Sequence, residues 1–410
     1  ELSRPEASEG SQNRIAIFIV VGALTGIAPL SIDAYIPGLP ELTSDLGTSA
    51  STGQLTLTAF LLGLALSQVV SGSISDNVGR RTPVLAGLIA YLVSSLLCGL
   101  SPGILTLTFL RLVQGAAAGV GFVIARAIVR DLYSGSAGAR IFARLVIVSG
   151  VAPVVAPILG GQVLRFTSWR GLFVLFAVVS ALILAAAYAF LFETLPVHLR
   201  HEPGIRTKLR VFRALIFDTS FLPYAFVGSL GFAAMFSYIA GAPFVLEDIH
   251  GLSPQEFSLV FACNAFGLVV LSQVSGRLVD RVGPVVLLRG GAGMSAMGGA
   301  ATLLSVVLDA GLTPLLIGLW LTVSAIGLIV PNSTALALAH QGERAGSASA
   351  LYGLGQFGLG ALLAPLAGIA GNHNALPMAI TIAACGLGAL AINHLFCDRG
   401  PLEPALESAP

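Results

Sequence analysis

The residue on which chemistry in this chain would turn is an acid inside an apolar run. Asp33 sits in "PLSIDAYIPGLP", residues 29 to 40, toward the far end of the first long hydrophobic stretch, and is the one acidic residue well inside any such stretch. A carboxylate at that depth costs several kcal/mol unless it faces a cavity or finds a partner, so it is read as functional by default. Arg111, about eight residues into the fourth stretch, falls at a similar depth, with Gln114 one helical turn further along the same face. Burial favours the protonated acid, whereas a neighbouring guanidinium favours the carboxylate. Competition between Arg111 and a proton for Asp33 would therefore make a two-state switch. Two plainer readings stand beside it: Asp33 caps its helix near the water interface with Ser31 and Tyr35, and Arg111 pins its helix to backbone carbonyls. Arg126, nearer a helix end, is expected to snorkel as an anchor.

Other chemistries lack their residues. Cys98, Cys263, Cys385 and Cys397 have no CxxC spacing, and the six histidines fall in loops or at helix ends, which argues against disulfides and metal sites. Nothing matches GxxxxGK[ST], so ATP is not the expected energy source. No nucleophile and base cluster at spanning depth, which argues against an enzyme.

The elements that hold these residues follow from composition. Hydrophobic residues make up 55% of the 410 and charged residues 10%, and the mean hydropathy is +0.90, far too apolar for a soluble domain. A bilayer core asks for about 20 apolar residues per helix. Twelve stretches meet that, at 15–37, 52–74, 83–101, 104–129, 141–163, 170–192, 220–244, 255–277, 285–308, 314–338, 346–370 and 375–396. They are too long and uniform for the alternating strands of a β-barrel. The polar opening "ELSRPEASEG" precedes a run of full spanning length, so no cleaved signal peptide is expected. Seventeen of the 21 basic residues lie on one set of connections and tails against Arg165 and Arg170 on the other, with Arg111 and Arg126 inside the fourth stretch. That bias puts both termini on the cytoplasmic side.

The chain repeats itself. "GSISDNVGRR" at 72 to 81 returns as "GRLVDRVGPV" at 276 to 285, with Gly72, Asp76 and Gly79 matched by Gly276, Asp280 and Gly283 at an offset of 204. "APILG" at 156 to 160 returns as "APLAG" at 364 to 368, and Pro37 finds an echo in Pro243. The expected architecture is an all-α membrane protein of 12 transmembrane helices in two six-helix bundles. Its divisions are a tail at 1–13, a bundle at 14–192, a basic linker at 193–219 read as a short amphipathic helix in preference to a flexible tether, a second bundle at 220–397 and a tail at 398–410.

Gly72, Asp76, Gly79, Arg80 and Arg81 fit the loop pattern G-x-L-a-D-R-x-G-R-R/K of the major facilitator superfamily, which this sequence resembles; Ile74 and Asn77 depart from it. Arg111, Gln114 and Gly115 in "LRLVQGAAAG" are similar to its span-4 motif, and "APILGG" at 156 to 161 to its span-5 antiporter motif. "PLSIDAYIPGLP", "RAIVRDLY" and "FETLP" resemble the Bcr/CflA drug-resistance subfamily, which includes bicyclomycin and chloramphenicol resistance proteins.

The resemblance implies a proton-coupled exporter of small amphiphilic antimicrobials that rocks one bundle against the other. Asp76 would dock on the helix N-terminus near Gly346 and hold the halves together, while Arg80 and Arg81 pair with acids such as Asp131. Gly150, Pro153, Pro157, Gly160 and Gly161 would let span 5 bend and pack closely. Tyr35, Phe232, Phe236, Tyr238, Asn264 and Asn332 lie on the helices expected to line the substrate cavity. With no further carboxylate at mid-membrane, neutral or weakly charged molecules such as phenicols are favoured. A proton-coupled carrier of a sugar or amino-acid product is the alternative. Expected partners are the small molecule, protons and the bilayer of the plasma or inner membrane. No cofactor or nucleic acid is expected, and the chain is expected to be monomeric.

Overall fold

The computed structural model describes residues 6–132, 152–197, 200, 205–369 and 374–397. Helices α1 (Glu6–Asp33), α2 (Leu39–Asp45), α3 (Ala50–Val78), α4 (Arg81–Gly99), α5 (Ile104–Leu132), α6 (Ala152–Val163) and α7 (Trp169–Phe190) form the first half. After α8 (Ile205–Ile216) come α9 (Leu222–Pro243), α10 (Pro254–Val282), α11 (Pro284–Val307), α12 (Leu312–Leu338), α13 (Ala345–Leu363) and α14 (Leu376–Phe396). Eleven helical spans among the described residues are long and apolar enough to cross a membrane, and α6 is the described part of the stretch expected at 141–163. Residues 141–151, Gly150 among them, lie outside the described residues, as do residues 1–5 of the first expected tail and all of 398–410. Where the sequence leads one to expect a tail at 1–13, α1 already runs from Glu6, while α8 occupies the basic linker.

The internal repeat is visible in the backbone. Helices α3 and α10 are both 29 residues long, and their N-caps, Ser49 and Ser253, are 204 residues apart. Each serine accepts the backbone N–H three residues on, which satisfies a donor the first turn leaves free. Each helix stops on a glycine in the left-handed half of φ space, Gly79 at +98° and Gly283 at +80°, where a side chain would be strained.

Within the first half, α3 and α5 pack closely because small residues face each other: a Cβ on Gly115 would collide with the Phe60 carbonyl. The end of the bundle that carries the α3–α4 and α10–α11 turns also carries most of the basic residues, and is called the basic end below. At the opposite end the two halves touch. Gln54 of α3 donates to the Ala240 carbonyl of α9 at 3.0 Å, and Gln255 of α10 donates to the Gly161 carbonyl of α6 at 3.1 Å.

Candidate functional site

Between the halves lies a cavity of about 420 Å³. It begins near the sealed end, at Ile32 and Asp33 of α1 and Tyr238 of α9, and extends toward the basic end, where Arg126, Thr334 and Ser349 line it. Most of its wall is apolar or aromatic, the usual make-up of a site for a small amphiphile. Phe232 packs on Phe236 with ring centroids 4.8 Å apart, and Phe357 meets Phe232 edge-on at 5.3 Å. Asn264 donates to the Tyr238 hydroxyl at 2.8 Å, so both polar tips are held in place. Asp33 and Arg126 are the two charged side chains among the described lining residues.

Asp33 is 5% exposed and faces this cavity, with no ion pair or hydrogen bond among the described residues. The expected pairing with Arg111 is absent. Arg111 is fully buried inside the first half: it donates to the Ser31 carbonyl at 3.2 Å and to Gln114 Oε1 at 2.7 Å. Its guanidinium carbon lies 4.3 Å from the Phe60 ring centre and 4.5 Å from that of Tyr35. Gln114 passes the chain of bonds on to Ser95 Oγ at 2.7 Å. The geometry is that of the pin and not of the switch, because the arginine points into an aromatic box and away from the cavity. The carbonyl it grips, that of Ser31, is two residues upstream of Asp33.

Four expected lining residues, Phe232, Phe236, Tyr238 and Asn264, are in the wall. Two are not. Tyr35 is fully buried beside Arg111 with its hydroxyl against Thr56 Oγ1 at 2.8 Å, and Asn332 donates to Ser275 Oγ at 2.8 Å and to the Leu328 carbonyl, tying α12 to α10. Gln68, Phe122, Arg126, Tyr352, Gln356 and Phe357 line the wall without having been singled out for it. A signal existed: Phe122 with Arg126, and Tyr352 with Gln356, are one helical turn apart and so share a face. Arg126, expected as an anchor at the membrane surface, instead lies over the Phe122 ring at 4.4 Å within the cavity.

At the basic end the motif turn is stapled within its own half. Arg80, 2% exposed, binds Asp131 at 2.8 Å, Asp76 at 2.7 Å and Ser75 Oγ at 2.7 Å. Glu193, just after α7 in "FETLP", accepts the backbone N–H groups of Arg80 at 2.7 Å and Arg81 at 3.3 Å, capping the start of α4. Burial pushes the Glu193 carboxyl up, but those donors, the Leu195 N–H and Arg200 outweigh it and hold it below the ordinary glutamate range. Arg81 finds the Tyr188 carbonyl at 2.9 Å where an acid had been expected. Nor does Asp76 cap α13: that helix has no side-chain cap, and nothing lies within 4 Å of where a Gly346 Cβ would stand. The halves are apart there because the cavity reaches that end. Gly72 faces Val123 of α5, and Pro153 joins the cavity wall. Pro157 lies inside α6. Gly160 and Gly161 serve different contacts: a Cβ on the first would collide with the Ala34 carbonyl of the same half, and on the second would meet Ser258 of the other half at 2.5 Å.

The family model of the Major Facilitator Superfamily matches residues 21–365. This chain belongs to the major facilitator superfamily. As a major facilitator protein it is a multi-pass membrane transporter of a small molecule, not an enzyme. An uncharacterized MFS-type transporter of Bacillus subtilis, YdgK, is 38% identical over 95% of this chain and 97% of its own. A bicyclomycin resistance protein homolog of Haemophilus influenzae is 30% identical over 91% and 94%, and a chloramphenicol resistance protein of Pseudomonas aeruginosa 29% over 93% and 92%. These relatives support the drug-resistance branch of the superfamily. Among solved structures, a D-xylose-proton symporter superposes with a TM-score of 0.73 at 15% identity, over 92% of this chain and 97% of that one, a likeness of fold alone.

Proposed function

We propose that this transporter exports small amphiphilic antimicrobials in exchange for protons. It would do so from the plasma or inner membrane as a monomer without a cofactor, with both termini in the cytoplasm. The observation that carries the reading is Asp33, a carboxylate without an ion partner among the described residues, at the sealed end of an aromatic cavity that extends toward the basic end. A carboxylate in such a place can hold a proton or a substrate group but not both, and so trades one for the other as access alternates. The resistance proteins among the relatives support an antimicrobial cargo, and the apolar wall supports a phenicol-like or bicyclomycin-like size and polarity.

The test is purified protein in sealed vesicles under an imposed pH difference. Wild type should drive uptake or release of labelled chloramphenicol that an uncoupler collapses. Asp33→Asn should lose pH-driven movement while keeping gradient-free exchange of labelled for unlabelled drug. Undiminished pH-driven transport in that variant would sink the role of Asp33. Coupled movement of a sugar or amino acid, and not of the drug, would favour the metabolite carrier instead.

A further inference from the structure

The cavity holds a second charge that proton coupling does not use. Arg126 lies fifteen residues further along α5 than Arg111, which is level with the end of α1 through the Ser31 carbonyl. At 1.5 Å per residue that sets Arg126 about 20 Å from the level of Asp33, toward the basic end. The two charged groups therefore stand at opposite ends of one cavity, too far apart to neutralise each other. No acid pairs with Arg126 among the described residues, and the neighbouring stretch 133–151 contains no Asp or Glu.

Its surroundings are built. The guanidinium lies on Phe122, which meets Phe357 of the other half edge-on with centroids 6.4 Å apart, and Phe357 continues to Phe232 and Phe236. A planar cation thus caps an aromatic rail that runs along the wall. On the adjacent helix α3, Gln68 is 7% exposed, lines the same cavity, and has its Nε2 donor buried without a partner. A buried donor left unpaired is destabilising unless something supplies an acceptor. A permanently charged guanidinium presents several N–H donors in a fixed fork that matches a carboxylate.

The geometry points to Arg126, Phe122 and Gln68 as a recognition subsite for an anionic oxygen group, so that the cavity prefers amphiphiles carrying a carboxylate or similar oxyanion on an aromatic body. The anion sits on the Arg126 fork, its second oxygen takes the Gln68 donor, and the aromatic body lies along the Phe357 and Phe232 rail. Cationic amphiphiles meet a like charge at the same place and are disfavoured. This rests on the cavity being the substrate site, as proposed above, and adds what charge the substrate carries.

Equilibrium dialysis of the full chain in detergent, at neutral pH and without any gradient, tests it with three labelled probes of one shape. These are 1-naphthaleneacetate, its neutral amide and 1-naphthylmethylammonium. Wild type should bind the carboxylate at least tenfold more tightly than the amide, and the ammonium weakest. Arg126→Gln should erase the preference while leaving the amide's affinity within twofold, and Gln68→Leu should reduce the carboxylate's affinity several-fold. Arg126→Lys, which keeps the charge and loses the fork, should retain anion over cation with a weaker margin, and it decides the matter if Arg126→Gln does not fold. Equal binding of the three probes, no binding of the carboxylate, or a preference that survives Arg126→Gln would each overturn the proposal. Because dialysis involves no proton gradient, a protein that selects the carboxylate yet moves nothing in vesicles refutes the exporter and leaves this subsite standing. A pH-driven exporter blind to probe charge does the reverse.

Discussion

Arg111 and Asp33, which one ion pair was expected to join, stand apart in different surroundings. A guanidinium out of water is costly unless its donors and faces find partners, and here Nη1 and Nη2 each find an acceptor and the rings of Phe60 and Tyr35 cover its faces, while Nε is left without a hydrogen bond. Gln114 is the side-chain member of that set. Gln114→Leu should leave both the arginine and Ser95 short of a partner and destabilise the fold by about 1–3 kcal/mol. Arg111→Met combined with Gln114→Leu should cost less than the sum of the two single changes, because the acceptor has no task once the cation is gone. Thermal unfolding of the four proteins in detergent measures the coupling, and strict additivity would show that the pair is not a unit. Asp33 differs: it lines the cavity and has no such set among the described residues, as the proposed exchange of a proton would require.

The turn between α3 and α4 shows how an element is fixed by residues distant in sequence. Gly79 supplies the positive φ, Arg80 folds back onto Asp76 and Asp131, and Glu193 arrives from beyond α7 to cap α4. Since contacts in the folded protein hold the Glu193 carboxyl below its ordinary value of 4.5, its contribution is fully present above that pH and is lost as the pH falls through the depressed value. Glu193→Gln should therefore lower stability at neutral pH by about 1 kcal/mol, and its melting temperature should converge on that of wild type in acid. A gap that stays constant down to low pH would mean the charge plays no part. The spans, the repeat and this turn were legible in the sequence because apolar length, a 204-residue offset and a left-handed glycine are each written in consecutive residues. Side-chain direction was not. Helix α12 is apolar on every face, so nothing in its pattern showed that Asn332 faces the neighbouring helix α10 and not the cavity, where Asn264 of α10 stands. Arg126 follows the same rule: its distance from a helix end is legible, but only its four-residue spacing from Phe122 carries the face it occupies.

At the scale of the whole molecule, the two halves are joined at one end and parted at the other, which is one of the two arrangements that rocking between bundles requires. Among the described residues the sealed end is held by the Gln54 amide on the Ala240 carbonyl and the Gln255 amide on the Gly161 carbonyl, with the close fit of Gly161 against Ser258 beside them. A latch of this kind can be strong enough to set the resting state and weak enough to release, since each hydrogen bond contributes only about 1 kcal/mol net. Gln54→Leu together with Gln255→Leu should then shift the resting population toward the opposite arrangement by about tenfold or more. Spin labels placed across the α2–α3 and α9–α10 turns report this directly as a longer distance component at the sealed end and a shorter one across the basic end. If both distances stay where they are in wild type, the polar bonds are incidental and the apolar fit alone holds that end closed. If the sealed end opens without the basic end closing, the halves do not move as rigid bodies about the cavity, and the exchange of proton for substrate at Asp33 loses the motion that would drive it.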